Sequence, residues 1–512
     1  MNDNSIAKIK QKKSILNTSS ILIAMGLSLS FHLLLAALFM QHCSIDLIEF
    51  WAFSLGDFFL WSLTLIPLIA IIQGRLAWFD PFSLLSVFFF GMIGAFYPAY
   101  LIDPEFLRVF SDYGGYILQY RSEPEFLFLV IKAELILSTF WTFMLVINRQ
   151  QLDFTPPKFA KVEYRVAIWT TAFCLIGGIV GFFCYWNFDS FLKTITTSLG
   201  KPASAVEWGT ARYLILVYIA TISVSLGLVG WLNIVVKRSK LFTNGLVLLT
   251  ALVVALVNMW DGSRTDVLLA FITLFMIVSL FGFRINRGTW LITGIITIIF
   301  LGLMTTIRGN PYLAGTPCDV VSQILSGEAR QSYLKMVGSD VATFLGLDRV
   351  SVVTMVLGYL ETGDGYLYGQ SLTAGPINLV ADWISRISGA GALHTGILKM
   401  ASQVITLWRL GLQSAFGGVP PSIPGEFYMQ MGVFPFFILS FLFSKIFLGL
   451  RRKVVTSKSV IGRWGYFIVS ITMAKLVGCE ISPFFGTFIY YILPVIIIYW
   501  FMILMRKILF TI

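Results

Sequence analysis

Two arginines occupy matching positions in neighbouring apolar stretches. Arg264 in "GSRTDVLLAFITLFMIVSL" opens one stretch, and Arg308 in "LMTTIRGNPY" closes the next. Each stretch is long enough to cross a bilayer as a helix, so consecutive crossings return both guanidiniums to one membrane edge. Arg212, Arg349 and Arg386 fall on that same side. Guanidinium forks pair with phosphate oxygens two at a time and stay charged at any physiological pH, so such a group suits a diphosphate. Each arginine alone also reads as a snorkelling side chain with its head among lipid headgroups. Anchoring cations concentrate on the inner side, which favours the diphosphate reading for the group. The chain has no GxxxxGK[ST] stretch, so the phosphate is not that of a nucleotide held in a P-loop.

Proton acceptors are few. Glu426 in "VPPSIPGEFYMQMGVFPFF" follows three prolines and a glycine at the mouth of an apolar run. It reads as a first-turn acid favoured by the helix dipole, as an arginine partner, or as a general base for an attacking hydroxyl. Burial would raise its pKa and an arginine neighbour would lower it. His394 in "GALHTGI" is the second base candidate, with an ordinary pKa suited to the task, and it also reads as a surface or packing residue. His32 reads as a packed helix residue. Asp46, Glu49 and Asp57 are expected together in the first outer loop, without DxD or His-rich spacing, so neither a metal nor a cofactor is implied.

Membrane helices must position these groups. The 512 residues are 57% apolar and 12% charged, with a mean hydropathy of +0.83. Soluble domains carry about 25% charged residues. The expected fold class is all-α, a polytopic integral membrane protein of about twelve transmembrane helices. The windows lie near 19–41, 50–73, 80–101, 126–148, 165–187, 212–235, 241–260, 265–283, 288–307, 426–449, 460–478 and 484–505. Lys8, Lys10, Lys12 and Lys13 share one side with Arg75, Arg149, Lys237, Arg284, Arg451, Arg452 and Arg506, whereas acids crowd the other. This positive-inside pattern places both termini in the cytoplasm and accounts for the net charge of +11 with no nucleic acid partner. Three regions follow: 1–308 with nine spans, an outer loop 309–425, and 426–512 with three spans. Within the loop, "DRVSVVTMVLGYLETGDGYLYG" reads as an amphipathic helix ending at a glycine-rich turn, and 395–412 as another helix. Helices lying on or dipping into the bilayer surface are expected there.

The order of these features resembles that of the O-antigen and oligosaccharide repeat-unit polymerases, the Wzy-type family. The resemblance rests on "GSR" opening a span, an arginine closing the next, and a large outer loop. It extends to "LDRVSVVTMVLGYLETGDGYLYGQSL", similar to the family's arginine helix and Tyr-x-x-Gly turn, and to "PPSIPGEFYMQMGVFP", similar to its Gly-Glu-x-Tyr entry into a span. It implies a metal-independent, GT-C-like glycosyltransferase in a bacterial inner membrane, working at the periplasmic face on undecaprenyl-diphosphate-linked oligosaccharide. The growing chain would leave its lipid diphosphate for a hydroxyl of the incoming unit, and a chain-length regulator protein is an implied partner. Arg264, Arg308 and Arg349 match the diphosphate-holding arginines, with Arg386 and Arg212 beside them. Glu426 matches the acid after glycine, and Tyr366 and Tyr428 fall at substrate-binding positions. The chain departs from the family at "INLVADWISRIS", where a Pro-Arg is usual, and at "GCEIS", which lacks an arginine. An O-antigen ligase of related fold and a lipid-linked-saccharide flippase are the alternative readings.

Overall fold

In lipid every backbone polar group must be satisfied within its own segment, and a helix does this residue by residue. The computed structural model describes residues 14–42, 47–93, 123–155, 157–185, 208–235, 240–260, 264–286, 349–362, 365–388, 398–410 and 420–509, with short pieces between 288 and 327. The described residues build α1 (Thr18–His42), α2 (Leu47–Ile72), α3 (Pro81–Ile93), α4 (Glu123–Ile147), α5 (Lys161–Tyr185), α6 (Trp208–Ile234), α7 (Lys240–Trp260) and α8 (Arg264–Leu280). The later part of the chain adds α9 (Arg349–Thr362), α10 (Gln370–Ser388), α11 (Ala401–Leu410), α12 (Ser422–Met431), α13 (Val433–Thr456) and α14 (Val460–Leu476). The chain then runs from α15 (Ser482–Thr487) through one π-helical turn into α16 (Leu493–Leu509).

Among the described residues, eight helices are long and apolar enough to cross a membrane: those containing 18–37, 54–72, 128–147, 161–184, 215–234, 240–257, 433–456 and 482–506. They coincide with eight of the twelve expected windows. Two other windows hold shorter apolar helices, within α3 and α8 of 13 and 17 residues, and the window 460–478 holds α14, of 17 residues. The window 288–307 lies mostly outside the described residues.

Close helix contacts rest on small residues, as expected where lipid is as apolar as the helices it surrounds. Between α5 and α6, a Cβ at Gly181 would stand 2.5 Å from the Tyr213 carbonyl oxygen, and one at Gly230 would stand 2.6 Å from that of Tyr164. On the other side of the bundle, Trp141 of α4 stacks between Phe82 and Phe89 of α3, and its indole N–H donates to the Leu63 carbonyl at 3.1 Å.

Four expectations are corrected. Arg451, expected among the inner-side loop cations, lies within α13 and is fully buried. Its Nε and Nη2 donate to the two oxygens of Asp80, and its Nη1 donates to the Asn148 carbonyl and amide oxygens. Asp57 lies within α2 rather than in an outer loop, buried against His32 of α1 at 2.9 Å. The window 426–449 divides at Gly432, whose φ of +78° and ψ of −144° end α12 and start α13 in a new direction. Glu426 therefore belongs to a separate, enclosed helix instead of the first turn of a span. The helix after Arg349 is also more enclosed than an amphipathic surface helix, because α9 packs between α4, α11 and α12 and buries Val352 through Tyr359.

Candidate functional site

The proline-rich approach to Glu426 becomes a turn followed by α12, of which Ser422 through Gln430 are all buried. Pro424 sits in the first turn, where a missing N–H costs no helical bond. Ser422, directly after Pro421, has a φ of +64°, a strained value for a residue bearing a Cβ. Gly425 brings α12 against α9: a Cβ there would lie 3.3 Å from a methyl of Val356.

The last carbonyls of α12 lack partners within their own helix. The Tyr-x-Tyr-Gly turn supplies them, because Leu367 N–H donates to Met429 O at 2.8 Å and Tyr368 N–H to Gln430 O at 2.9 Å. This contact requires a φ of +47° at Tyr368 and +86° at Gly369. Gln430 extends the junction: its Oε1 accepts from Gly369 N–H at 2.9 Å, and its Nε2 donates to Ser371 Oγ at 2.8 Å and Glu426 O at 2.9 Å. Gly432 leaves room for Tyr366, whose hydroxyl would be 2.9 Å from a Cβ there. Tyr428 lies close to it, and burial together with the charges of Tyr366 and Glu361 pushes the Tyr428 phenol up. The structure thus brings Glu426, Tyr366 and Tyr428 to one junction, with Tyr366 and Tyr368 both exposed.

Glu426 closes this network. Its Oε1 accepts from Ser371 Oγ at 2.8 Å, and its Oε2 accepts from Ile481 N–H at 2.7 Å. Glu480, one residue before Ile481, accepts from Ser402 N–H at 2.8 Å and Ser402 Oγ at 2.6 Å, which caps the start of α11. Two buried carboxyls therefore join α10, α11 and α12 to the turn between α14 and α15. Burial, then the charge of Glu480, pushes Glu426 up to about 7, against the opposing bonds from Ile481 and Ser371. Burial likewise raises Glu480, offset by its bonds from Ser402 and Ala401. The sequence signal for Glu480 is an acid flanked by apolar runs, in a turn where the family resemblance leads to an arginine instead.

The raised value has a consequence for stability. Folding holds the Glu426 proton more tightly than the unfolded chain does, so the unfolded state releases it first as pH rises. The contribution of Glu426 to stability is fully present below 4.5 and is lost by the time the pH has risen to about 7. Between those values it falls by about 1.4 kcal/mol per pH unit. Glu426→Gln removes the titrating group while keeping its size. Thermal unfolding in detergent across this window should show a shallower pH slope for the variant; an unchanged slope would remove Glu426 from the account.

Arg264 and Arg349 are the first residues of α8 and α9, Arg212 lies in the first turns of α6, and Arg386 lies near the end of α10. Their side chains lie outside the described residues, as do Arg308 and His394 altogether. Among the described residues, no group of three or more His, Cys, Asp or Glu is arranged to hold a metal ion. No family model, curated protein or solved structure matches the chain.

Proposed function

We propose that this protein is a membrane glycosyltransferase of the O-antigen polymerase kind. In this reading it has twelve spans and a GT-C-like fold, and it lies in a bacterial inner membrane with both termini cytoplasmic. It joins undecaprenyl-diphosphate-linked oligosaccharide units at the periplasmic face.

The observation that carries the reading is the placement of Arg264 and Arg349 at the first positions of their helices. A helix start is already the positive end of the dipole, so a cation there does nothing for its own helix. Helix start and guanidinium together favour a neighbouring anion, and a lipid diphosphate offers two adjoining phosphates to such a group at a membrane edge. Arg308 completes the proposed cluster, with Arg212 and Arg386 at its margin.

In the proposed reaction, a hydroxyl oxygen of the incoming unit bonds to the anomeric carbon at the end of the growing chain. The bond from that carbon to the diphosphate oxygen breaks, and its electron pair leaves with the lipid diphosphate. Arginines facing the departing charge lower the barrier. The hydroxyl proton goes to a base whose pKa lies near the working pH, a condition Glu426 meets at about 7. Both of its oxygens are occupied and its side chain is enclosed, so it accepts that proton only when the Ser371 bond opens. His394 is the second acceptor in this reading, and Tyr366 and Tyr428 border the sugar.

Purified protein in detergent, given a defined lipid-linked oligosaccharide, should produce a ladder of longer chains. Lengthening without a lipid A core acceptor separates a polymerase from a ligase. Absence of any new glycosidic bond, combined with movement of the lipid-linked unit across reconstituted vesicles, would replace this reading with a flippase.

A further inference from the structure

Tyr368 is strained in a way that the turn itself does not require. Its φ of +47° lies in the left-handed region, which is unfavourable for any residue with a Cβ and most so for a bulky one. The Tyr368 backbone donates its N–H to Gln430 O at 2.9 Å. Glycine would make the same bond without strain, and glycine stands at the neighbouring positive-φ positions 365 and 369. Tyrosine nevertheless holds the position, with 72% of the residue exposed. Its ring, rather than its backbone, is what the turn gains from it.

The surroundings of that ring are amphipathic. Tyr366, also exposed, meets Tyr368 edge to face, with ring centroids 6.4 Å apart and planes at 75°. Tyr428 is near enough to both Tyr366 and Glu361 for their charges to act on its phenol. Glu361 pairs with Lys132 of α4 at 3.7 Å, and both partners are part-exposed. These groups share one level of the fold. Helices α4 and α13 run in the same direction, touching at Met144 with Ser444 and again at Asn148 with Arg451. Twelve residues before Met144 and Ser444 stand Lys132 and Gly432, the glycine that Tyr366 approaches. Both lie at the start of the apolar windows 128–147 and 433–456, so the group sits at a membrane edge.

An acyl or prenyl chain offers nothing to phenol hydroxyls or to an ion pair. A pyranose has an apolar C–H face and a rim of hydroxyls, and exposed aromatic rings bordered by a few fixed polar groups suit it. We propose that Tyr366, Tyr368, Tyr428 and the Lys132–Glu361 pair form a saccharide subsite, in which the Tyr368 ring covers one sugar face while the Tyr366 and Tyr428 hydroxyls and the ion pair take the rim. This inference rests on the lipid-linked saccharide reading given above, and it assigns the sugar portion to side chains separate from the arginines that hold the diphosphate.

The test uses the oligosaccharide freed by mild acid from the defined lipid-linked unit, so that neither prenyl chain nor diphosphate contributes. Saturation-transfer NMR on the full protein, in a detergent without a sugar headgroup, should show binding with transfer greatest to the C–H protons of one sugar face. Tyr368→Phe should bind as the wild type does. Tyr368→Gly should weaken binding about tenfold while keeping or raising the unfolding midpoint, because glycine relaxes the turn. No binding by the wild type, or equal binding by Tyr368→Gly, overturns the proposal and leaves the ring as an anchor at the membrane interface. If Tyr368→Gly is not recovered folded, Lys132→Met decides, since it leaves the turn intact: weakened binding supports the subsite, and unchanged binding overturns it. Binding of the free sugar without any chain lengthening would remove the polymerase reading and keep the subsite. Chain lengthening with normal sugar binding by Tyr368→Gly would keep that reading and remove the subsite.

Discussion

Asp80→Ala should destabilise the protein by about 3–5 kcal/mol, because it leaves the Arg451 guanidinium buried without its counter-charge. Asp80 does two tasks at once. It receives Nε and Nη2 of Arg451, and its Oδ1 also accepts the Phe82 N–H at the start of α3. The guanidinium lies over the Phe82 ring, 5.1 Å from its centroid, and reaches Asn148 beyond the end of α4, so α3, α4 and α13 meet at this pair. Loss of the carboxylate strands a charge where water cannot compensate for it. Replacing both partners with apolar residues of similar volume, Asp80→Leu with Arg451→Met, should recover most of the loss, since the cost lies in an unpaired charge more than in the missing pair. Unfolding midpoints in detergent for the single and double variants would decide the matter. A double variant as unstable as Asp80→Ala would show that the cap on α3 matters more than charge pairing.

Arg264→Ala and Arg308→Ala should each lower the rate of chain extension by about 10²–10³, equivalent to about 2–4 kcal/mol of transition-state stabilisation. The Arg264→Ala variant should remain folded, because a cation at a helix start contributes nothing favourable to that helix. Single lipid-linked units should accumulate in cells while long polysaccharide disappears. Arg264→Lys should recover only part of the activity, because an ammonium retains the charge and loses the two-pronged geometry. Unchanged chain length in both alanine variants would reject the diphosphate role.

The tenth expected span shows where local reading ends. From Glu426 to Leu450 the chain is almost uninterrupted apolar sequence, and hydropathy alone makes it one helix. Gly432 instead adopts a left-handed φ that accommodates the Tyr366 ring from a turn more than 60 residues earlier. Nothing near Gly432 in sequence announces that contact. Asp57 shows the same limit: its type groups it with the outer-loop acids Asp46 and Glu49 although the window 50–73 contains it, and His32 on the neighbouring helix is what allows it to remain inside.

Composition and the run lengths of apolar residues determined that this chain is helical and crosses a membrane repeatedly, because backbone groups in lipid have no other partner than their own helix. The glycine-rich turn after α9 was equally legible, since a positive φ at Gly365 and Gly369 selects that residue type. Only the tertiary structure decided that Glu426 faces Ser371 and Ile481, that Glu480 shares its junction, and that Arg451 and Asp57 are inside. These are pairings between segments 25 to 371 residues apart. A buried charge is tolerated or forbidden according to what stands opposite it, and that partner is set by packing between helices rather than by any local run of residues.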